Sequence, residues 1–87
     1  MHEWSAIIAL IRAIESAATA SRATRVVGAT VAIGSLSGLS EGHLREHFAL
    51  ASRGSIAEGA TLTIDVRREV SDPRAQAIVL ERIEVAE

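Results

Sequence analysis

The first twenty residues carry apolar side chains at helical spacing, and this pattern most limits what the chain can fold into. Alanine fills much of the space between the apolar positions and favours helix, and nothing breaks the pattern before Ser21. We therefore predict helix 1 from Glu3 to Thr19, with Trp4 as the anchor that packs it. The predicted buried face consists of Trp4, Ile7, Ile8, Ile11, Ile14 and Ala18.

Two later segments have the two-residue period of a β-strand. The segment from Arg25 to Ile33 is rich in Val and Thr and carries only small residues on one face, which predicts a central strand with a helix close against it. Its predicted inner face is Val27, Ala29, Val31 and Ile33. Further along, Leu62, Ile64 and Val66 alternate with polar residues, which predicts a second strand with one covered and one wet face.

A second helix is predicted between these strands. Ser40 can cap a helix from Glu41 to Ser52, since its hydroxyl can accept from a first-turn amide. Gly54 is expected to stop the helix. The inner face is predicted to be Leu44, Phe48 and Ala51.

The last apolar segment follows a turn and changes its phase midway. The turn-forming residues 71–74 predict a hairpin that pairs the final strand with strand 2. Ile78 and Leu80 share one parity, whereas Ile83 and Val85 share the other. This change of phase predicts a bulge near Glu81–Arg82 or a different register, and a short C-terminal helix is the alternative.

The order helix, strand, helix, strand, strand predicts a two-layer α+β fold, with both helices on one face of a three-stranded mixed sheet. Strand 1 and strand 2 would be parallel and joined across helix 2. With 87 residues, we expect one domain over residues 1–87. The other face of the sheet is then thinly covered, which favours a homo-oligomer.

Composition excludes several function classes. The formal charge is -2 and the arginines are scattered apart from the pair Arg67–Arg68, so no basic patch for nucleic acid is expected. No apolar run approaches the ~20 residues of a membrane span, so we expect a cytoplasmic protein. Cysteine is absent, so any metal must be bound by nitrogen or oxygen.

The first three residues, Met1, His2 and Glu3, form a candidate metal site. The α-amine of Met1, the deprotonated amide of His2 and its imidazole Nδ1 can close fused chelate rings around one ion, with the Glu3 amide or a side chain as fourth donor. Planar nitrogen donors suit Ni(II) or Cu(II) rather than Zn(II) or Mg(II). Taken alone, the pattern is more typical of an ordinary surface histidine.

A second candidate is the sequence from His43 to His47, which has the H-x-x-E-H order of one zinc peptidase class with Glu46 as base. Such a site needs a further protein ligand and a cleft, and both histidines fall at the border of the buried face of helix 2. Solvated histidines or an adventitious metal site are the alternatives, and we do not expect an enzyme.

The ordered set of segments resembles the HypA/HybF family of nickel metallochaperones for nickel-iron hydrogenase maturation. The resemblance rests on "MHEWS", "VAIGSLSG", "FALASRGSIAEGATLTI" and "LERIEVAE" together. It implies that the Met1 amine, His2 and the Glu3 backbone hold Ni(II) as cargo, with a maturation GTPase and the hydrogenase large-subunit precursor as partners.

The sequence departs from the family pattern at one place. The family ordinarily carries a zinc ribbon with paired CxxC motifs before its last strand, whereas residues 70–75 here hold a short turn without cysteine. No zinc is expected. The alternative function is therefore that of an assembly or interaction module, which keeps the family fold but does not deliver metal.

Overall fold

The fold is described from a computed structural model, which covers residues 2–34, 40–67 and 78–86, without the side chains of residues 2 and 3. The elements are α1 (His2–Ala20), β1 (Val26–Gly34), α2 (Glu41–Ala51), β2 (Thr61–Arg67) and β3 (Ile78–Val85). This order confirms the predicted succession of helices and strands. Among these residues, neither helix has the length and apolar character needed to cross a bilayer.

The three strands form one mixed sheet in the order β2-β1-β3. β1 and β2 are parallel, with register from Gly28↔Thr61 to Gly34↔Arg67. β1 and β3 are antiparallel. The α+β fold and the central position of β1 are therefore confirmed.

The predicted hairpin between β2 and β3 is wrong, because β3 pairs with β1. In a sheet of three strands, β1 cannot be central if β2 and β3 are neighbours. β1 is the most deeply buried strand. At the centre of the sheet, the backbone N–H and C=O groups on both of its edges are paired, whereas at an edge of the sheet half of them would lack a partner strand. The turn predicted over residues 71–74 lies outside the described residues.

Two bulges shape the pairing of β1 with β3. Val31 pairs with Leu80 and Thr30 with Arg82, so Glu81 is the extra residue, as the change of parity predicted. This bulge lets apolar residues of both parities pack against the core: Ile78, Leu80, Ile83 and Val85. The alternative of a C-terminal helix is wrong.

The second bulge corrects the predicted inner face of β1. Val26 pairs with Val85 and Gly28 with Glu84, which leaves Val27 as the extra residue. Val26 is fully buried, whereas Val27 is 45% exposed. The prediction that Val27 lies inward is therefore wrong, because the bulge shifts the alternation at the start of the strand.

The core lies between the inner face of the sheet and the two helices. From α1 and α2 it takes Ile7, Leu10, Ile11, Ile14, Ala18, Leu44 and Phe48, and from the sheet Val26, Ala29, Val31, Ile33 and Leu62. Ala51 packs against this core from its edge, as do Ile64 and Val66. The core thus holds both helices against one sheet face.

Candidate metal-binding site

The start of α1 carries two of the three residues predicted to bind nickel. The helix begins at His2, so His2 and Glu3 lie in its first turn. First-turn amides of an α-helix have no intrahelical carbonyl to which they can donate. The amide nitrogens of these two residues can therefore serve another purpose without loss of a helical hydrogen bond. Met1 lies outside the described residues, so the complete donor set stays a prediction.

Trp4 connects the start of α1 to α2. Its ring meets the ring of His47 edge-on, with 5.5 Å between centroids and 79° between the planes. Trp4 is nevertheless 47% exposed, so it is a weaker core anchor than predicted. The burial that holds α1 comes instead from Ile7 and Ile14, both with no exposed surface.

His43 and His47 lie together on one flank of α2. Their rings are stacked, with centroids 6.1 Å apart and planes 11° apart. His43 is exposed and His47 is half-buried, as expected for the border of an amphipathic helix. The N-terminus of α2 is capped, because the His43 amide donates to Ser40 Oγ at 3.1 Å.

The opposite flank of α2 carries an arginine whose guanidinium group is held by two contacts. The Arg45 guanidinium donates to the carbonyl oxygen of Leu62 at the start of β2 and pairs with Glu41 at 3.3 Å. Two residues correspond to about 200° around an α-helix, so Arg45 is directed away from His43. The positive charge of α2 is therefore engaged on the side that faces β2, remote from the imidazoles.

The zinc peptidase interpretation finds no support in the described part of the chain. Within it, no group of three or more His, Asp or Glu side chains converges, as a catalytic zinc site of this class would require. Glu46 is exposed. Among the described residues, the two imidazoles thus have no further protein ligand of the kind that the hydrolase needs.

Sequence reasoning missed the contact between Trp4 and His47. No local pattern encodes it, since it depends on how α1 and α2 pack against each other. The same end of α1 also borders a shallow surface groove of about 430 Å³, lined by Trp4, Ser5, Ile8, Ala9 and Arg12. The helix start therefore combines backbone amides outside the helical hydrogen-bond ladder, a nearby imidazole pair and an accessible, partly apolar surface.

The sequence resembles known proteins over most of its length. Residues 1–72 match the family model described as "HypA: Hydrogenase/urease nickel incorporation, metallochaperone, hypA". The hydrogenase maturation factor HypA of Xanthobacter autotrophicus is 41% identical over 64 residues, which are 74% of this chain and 57% of the relative. That of Archaeoglobus fulgidus is 40% identical over 68 residues, 78% of this chain and 62% of the relative.

The fold also resembles a solved structure, the solution structure of the Ni metallochaperone HypA from Helicobacter pylori. The TM-score is 0.83 at 20% sequence identity, with 100% of both chains covered. This likeness shows the shared fold. The chain spans a little over half the length of the curated relatives given above. On the family match and the two relatives, the chain belongs to the HypA family.

Proposed function

We propose that this protein is a nickel carrier for metalloenzyme maturation, holding one Ni(II) at the start of α1. The proposed donors are the Met1 amine, the imidazole and amide of His2, and the amide of Glu3. The observation that carries the proposal is the family match, which begins at residue 1 and so includes all three residues. Residues 1–87 act in this proposal as one nickel-binding domain.

The backbone geometry of α1 supports these donors. Both amides lie in the first helical turn, where they are not required for helical hydrogen bonds. Deprotonating an amide in the middle of a helix would break a bond of the ladder, whereas deprotonating one here does not. Four nitrogen donors in a plane suit a d8 ion such as Ni(II).

The charge balance of the site also favours amide coordination. The N-terminus of a helix carries about half a positive charge and disfavours a nearby cation by roughly 0.3 to 1 kcal/mol. Loss of two amide protons cancels the charge of Ni(II), while the amine and imidazole bind as neutral groups. The proposed complex is therefore neutral, and the macrodipole does not oppose it.

The fold gives this site a rigid mount with open access. Buried side chains along α1 attach the helix to the sheet, and the Trp4 contact with His47 ties its first turns to α2. A planar four-coordinate ion leaves its two axial positions open, so an incoming ligand can bind before an old one leaves. This arrangement suits a carrier that transfers metal, and no catalytic step is proposed.

The proposed partners follow from the family. We expect a maturation GTPase to dock on the exposed side of α1 near its start, where the groove lined by Trp4, Ile8 and Arg12 lies. The hydrogenase large-subunit precursor is the proposed recipient. These 87 residues contain no cysteine, so a zinc ribbon of four cysteines is not part of the proposed mechanism.

Titration of the untagged protein with Ni(II) tests the proposal. We expect a visible absorption band of square-planar nickel that saturates at one equivalent. The variant His2→Ala should lose this band, since it lacks the imidazole donor, and residues added before Met1 should weaken it by removing the free amine. Circular dichroism should show that both variants keep the fold.

The matched control is His43→Ala, which removes an imidazole outside the proposed donor set and should leave the band unchanged. Retention of the band in His2→Ala would contradict the assignment of donors. Absence of the band from the unmodified protein would favour the alternative, an assembly or interaction module that does not deliver metal.

A further inference from the structure

The two histidines of α2 form a second nitrogen donor pair that the amino-terminal site does not use. Residues four apart on a helix are neighbours on its surface, with Cβ atoms about 5 to 6 Å apart. The rings of His43 and His47 meet this condition and are also nearly parallel, 6.1 Å apart. Two imidazoles at this spacing are a known arrangement for binding one metal ion from a single helix.

We propose that His43 and His47 bind one divalent transition-metal ion, of the Ni(II), Cu(II) or Zn(II) class, beside the start of α1. Two neutral imidazoles supply two coordination positions, and water or a donor from a partner completes the shell. Imidazole is a good ligand for these borderline ions and a poor one for Mg(II) or Ca(II). With only two protein donors, this site is weaker than the amino-terminal one.

The surroundings restrain the backbone of His43 and the ring of His47. The amide of His43 is fixed in the capped first turn of α2 by its bond to Ser40 Oγ. Trp4 packs edge-on against His47 and limits how that ring can turn. Less rotamer freedom is therefore lost when a metal binds than in a flexible pair.

The local charges permit a cation at this position. Arg45 is engaged with Leu62 and Glu41 on the other flank of α2, so its charge is kept away from the pair. Glu41, in the first turn of α2, offsets the positive end of the helix dipole.

The position of the pair suggests its role. His2 precedes Trp4 by two residues, which is about 3 Å along a helix axis, and Trp4 contacts His47. The pair therefore lies close to the backbone donors at the start of α1. An ion bound weakly by His43 and His47 would be a neighbour of the amino-terminal site, from which it could load that site. This role rests on the proposed function, whereas binding by the pair does not.

The test uses the untagged variant His2→Ala, in which His43 and His47 are the only histidines left. Isothermal titration calorimetry with Ni(II) is expected to show one bound ion. The absorption spectrum of the same complex should show the weak bands of six-coordinate nickel instead of a square-planar band. Ni(II) near His47 should also quench the fluorescence of Trp4, the single tryptophan.

Adding His43→Ala to this variant should weaken nickel binding by about tenfold or more, the scale on which even supporting residues of metal sites act. His43→Ala leaves the contact of Trp4 with His47 in place, so a change in quenching reports metal binding. Adding Glu46→Gln instead should leave the affinity within about twofold, since Glu46 is not a proposed ligand. No binding by the His2→Ala protein, or equal binding with and without His43, would overturn the proposal.

Discussion

Truncation of Leu44 tests how α2 is held against the rest of the fold. Leu44 has no exposed surface and belongs to the core cluster, next to the histidine pair in sequence. Leu44→Ala removes three carbons, and at about 0.8 kcal/mol per buried methylene this is a transfer loss of about 2.4 kcal/mol. The cavity that remains raises the expected loss to about 3 to 4 kcal/mol.

This loss is large for so small a domain. At about 0.05 to 0.15 kcal/mol per residue, the whole free energy of unfolding is roughly 4 to 13 kcal/mol. Urea denaturation followed by circular dichroism and by Trp4 fluorescence measures the change in unfolding free energy. The midpoint of thermal unfolding should fall by roughly 15 to 25 °C.

Leu50→Ala is the matched control, because it makes the same chemical change on the same helix at a side chain that is 51% exposed. About half of the transfer term applies and no closed cavity forms, so we expect a loss of about 1 kcal/mol or less. The higher helix propensity of alanine lowers it slightly further. If the two variants lose equal stability, or Leu50→Ala loses more, the packing of α2 described above is incorrect.

The remaining predictions concern the backbone around α2 and are measured by the same denaturation assay. Gly54 has φ of +77° with open space around it, so Gly54→Ala should cost about 1 to 2 kcal/mol through backbone strain alone. Gly42 lies inside α2 and is equally unobstructed, so it is the control, and Gly42→Ala should stabilise the fold by about 0.5 to 1 kcal/mol. If both substitutions change stability in the same direction, the left-handed backbone at Gly54 is contradicted. Ser40→Ala should cost about 1 kcal/mol by removing the acceptor for the His43 amide, whereas Ser40→Asp keeps an acceptor and should cost little; an unchanged Ser40→Ala protein would show that the cap contributes nothing.

Local periodicity predicted the elements and most of the core correctly. Two patterns of apolar residues carried this prediction, the helical spacing in residues 4–18 and the alternation in residues 62–66. Each pattern depends only on which side of a helix or strand a residue occupies. The change of parity between Leu80 and Ile83 predicted a bulge near Glu81–Arg82 as one of its alternatives, and Glu81 is the extra residue. An extra residue allows a strand to keep apolar residues of both parities on one face.

Strand order was beyond the reach of such patterns. Turn-forming residues favour a hairpin between neighbours in sequence, but they do not show which strand needs both of its edges paired. β1 is buried on both faces, and its outward positions are small: Gly28, Thr30, Ala32 and Gly34. The Glu84 side chain lies so close over Gly28 that an added Cβ would overlap its carboxylate. This close approach requires β3 beside β1.

The candidate site divides in the same way. Residue types and their spacing along the chain make Met1, His2 and Glu3 a candidate donor set, which stays a prediction, and they place His43 and His47 on one helical flank. They cannot show that the start of α1 and the histidine flank of α2 are neighbours, since Trp4 and His47 are 43 residues apart in sequence and meet only when α1 packs beside α2.

Local patterns in the amino-acid sequence thus account for the helices, the strands, their apolar faces and the positions of the three histidines along the chain. Three features follow only from how the elements pack: β3 joins the free edge of β1, Val27 turns outward, and the imidazole pair of α2 lies beside the start of α1. Side-chain periodicity is set within a few residues, whereas pairing and packing depend on the free energy of burying whole surfaces together.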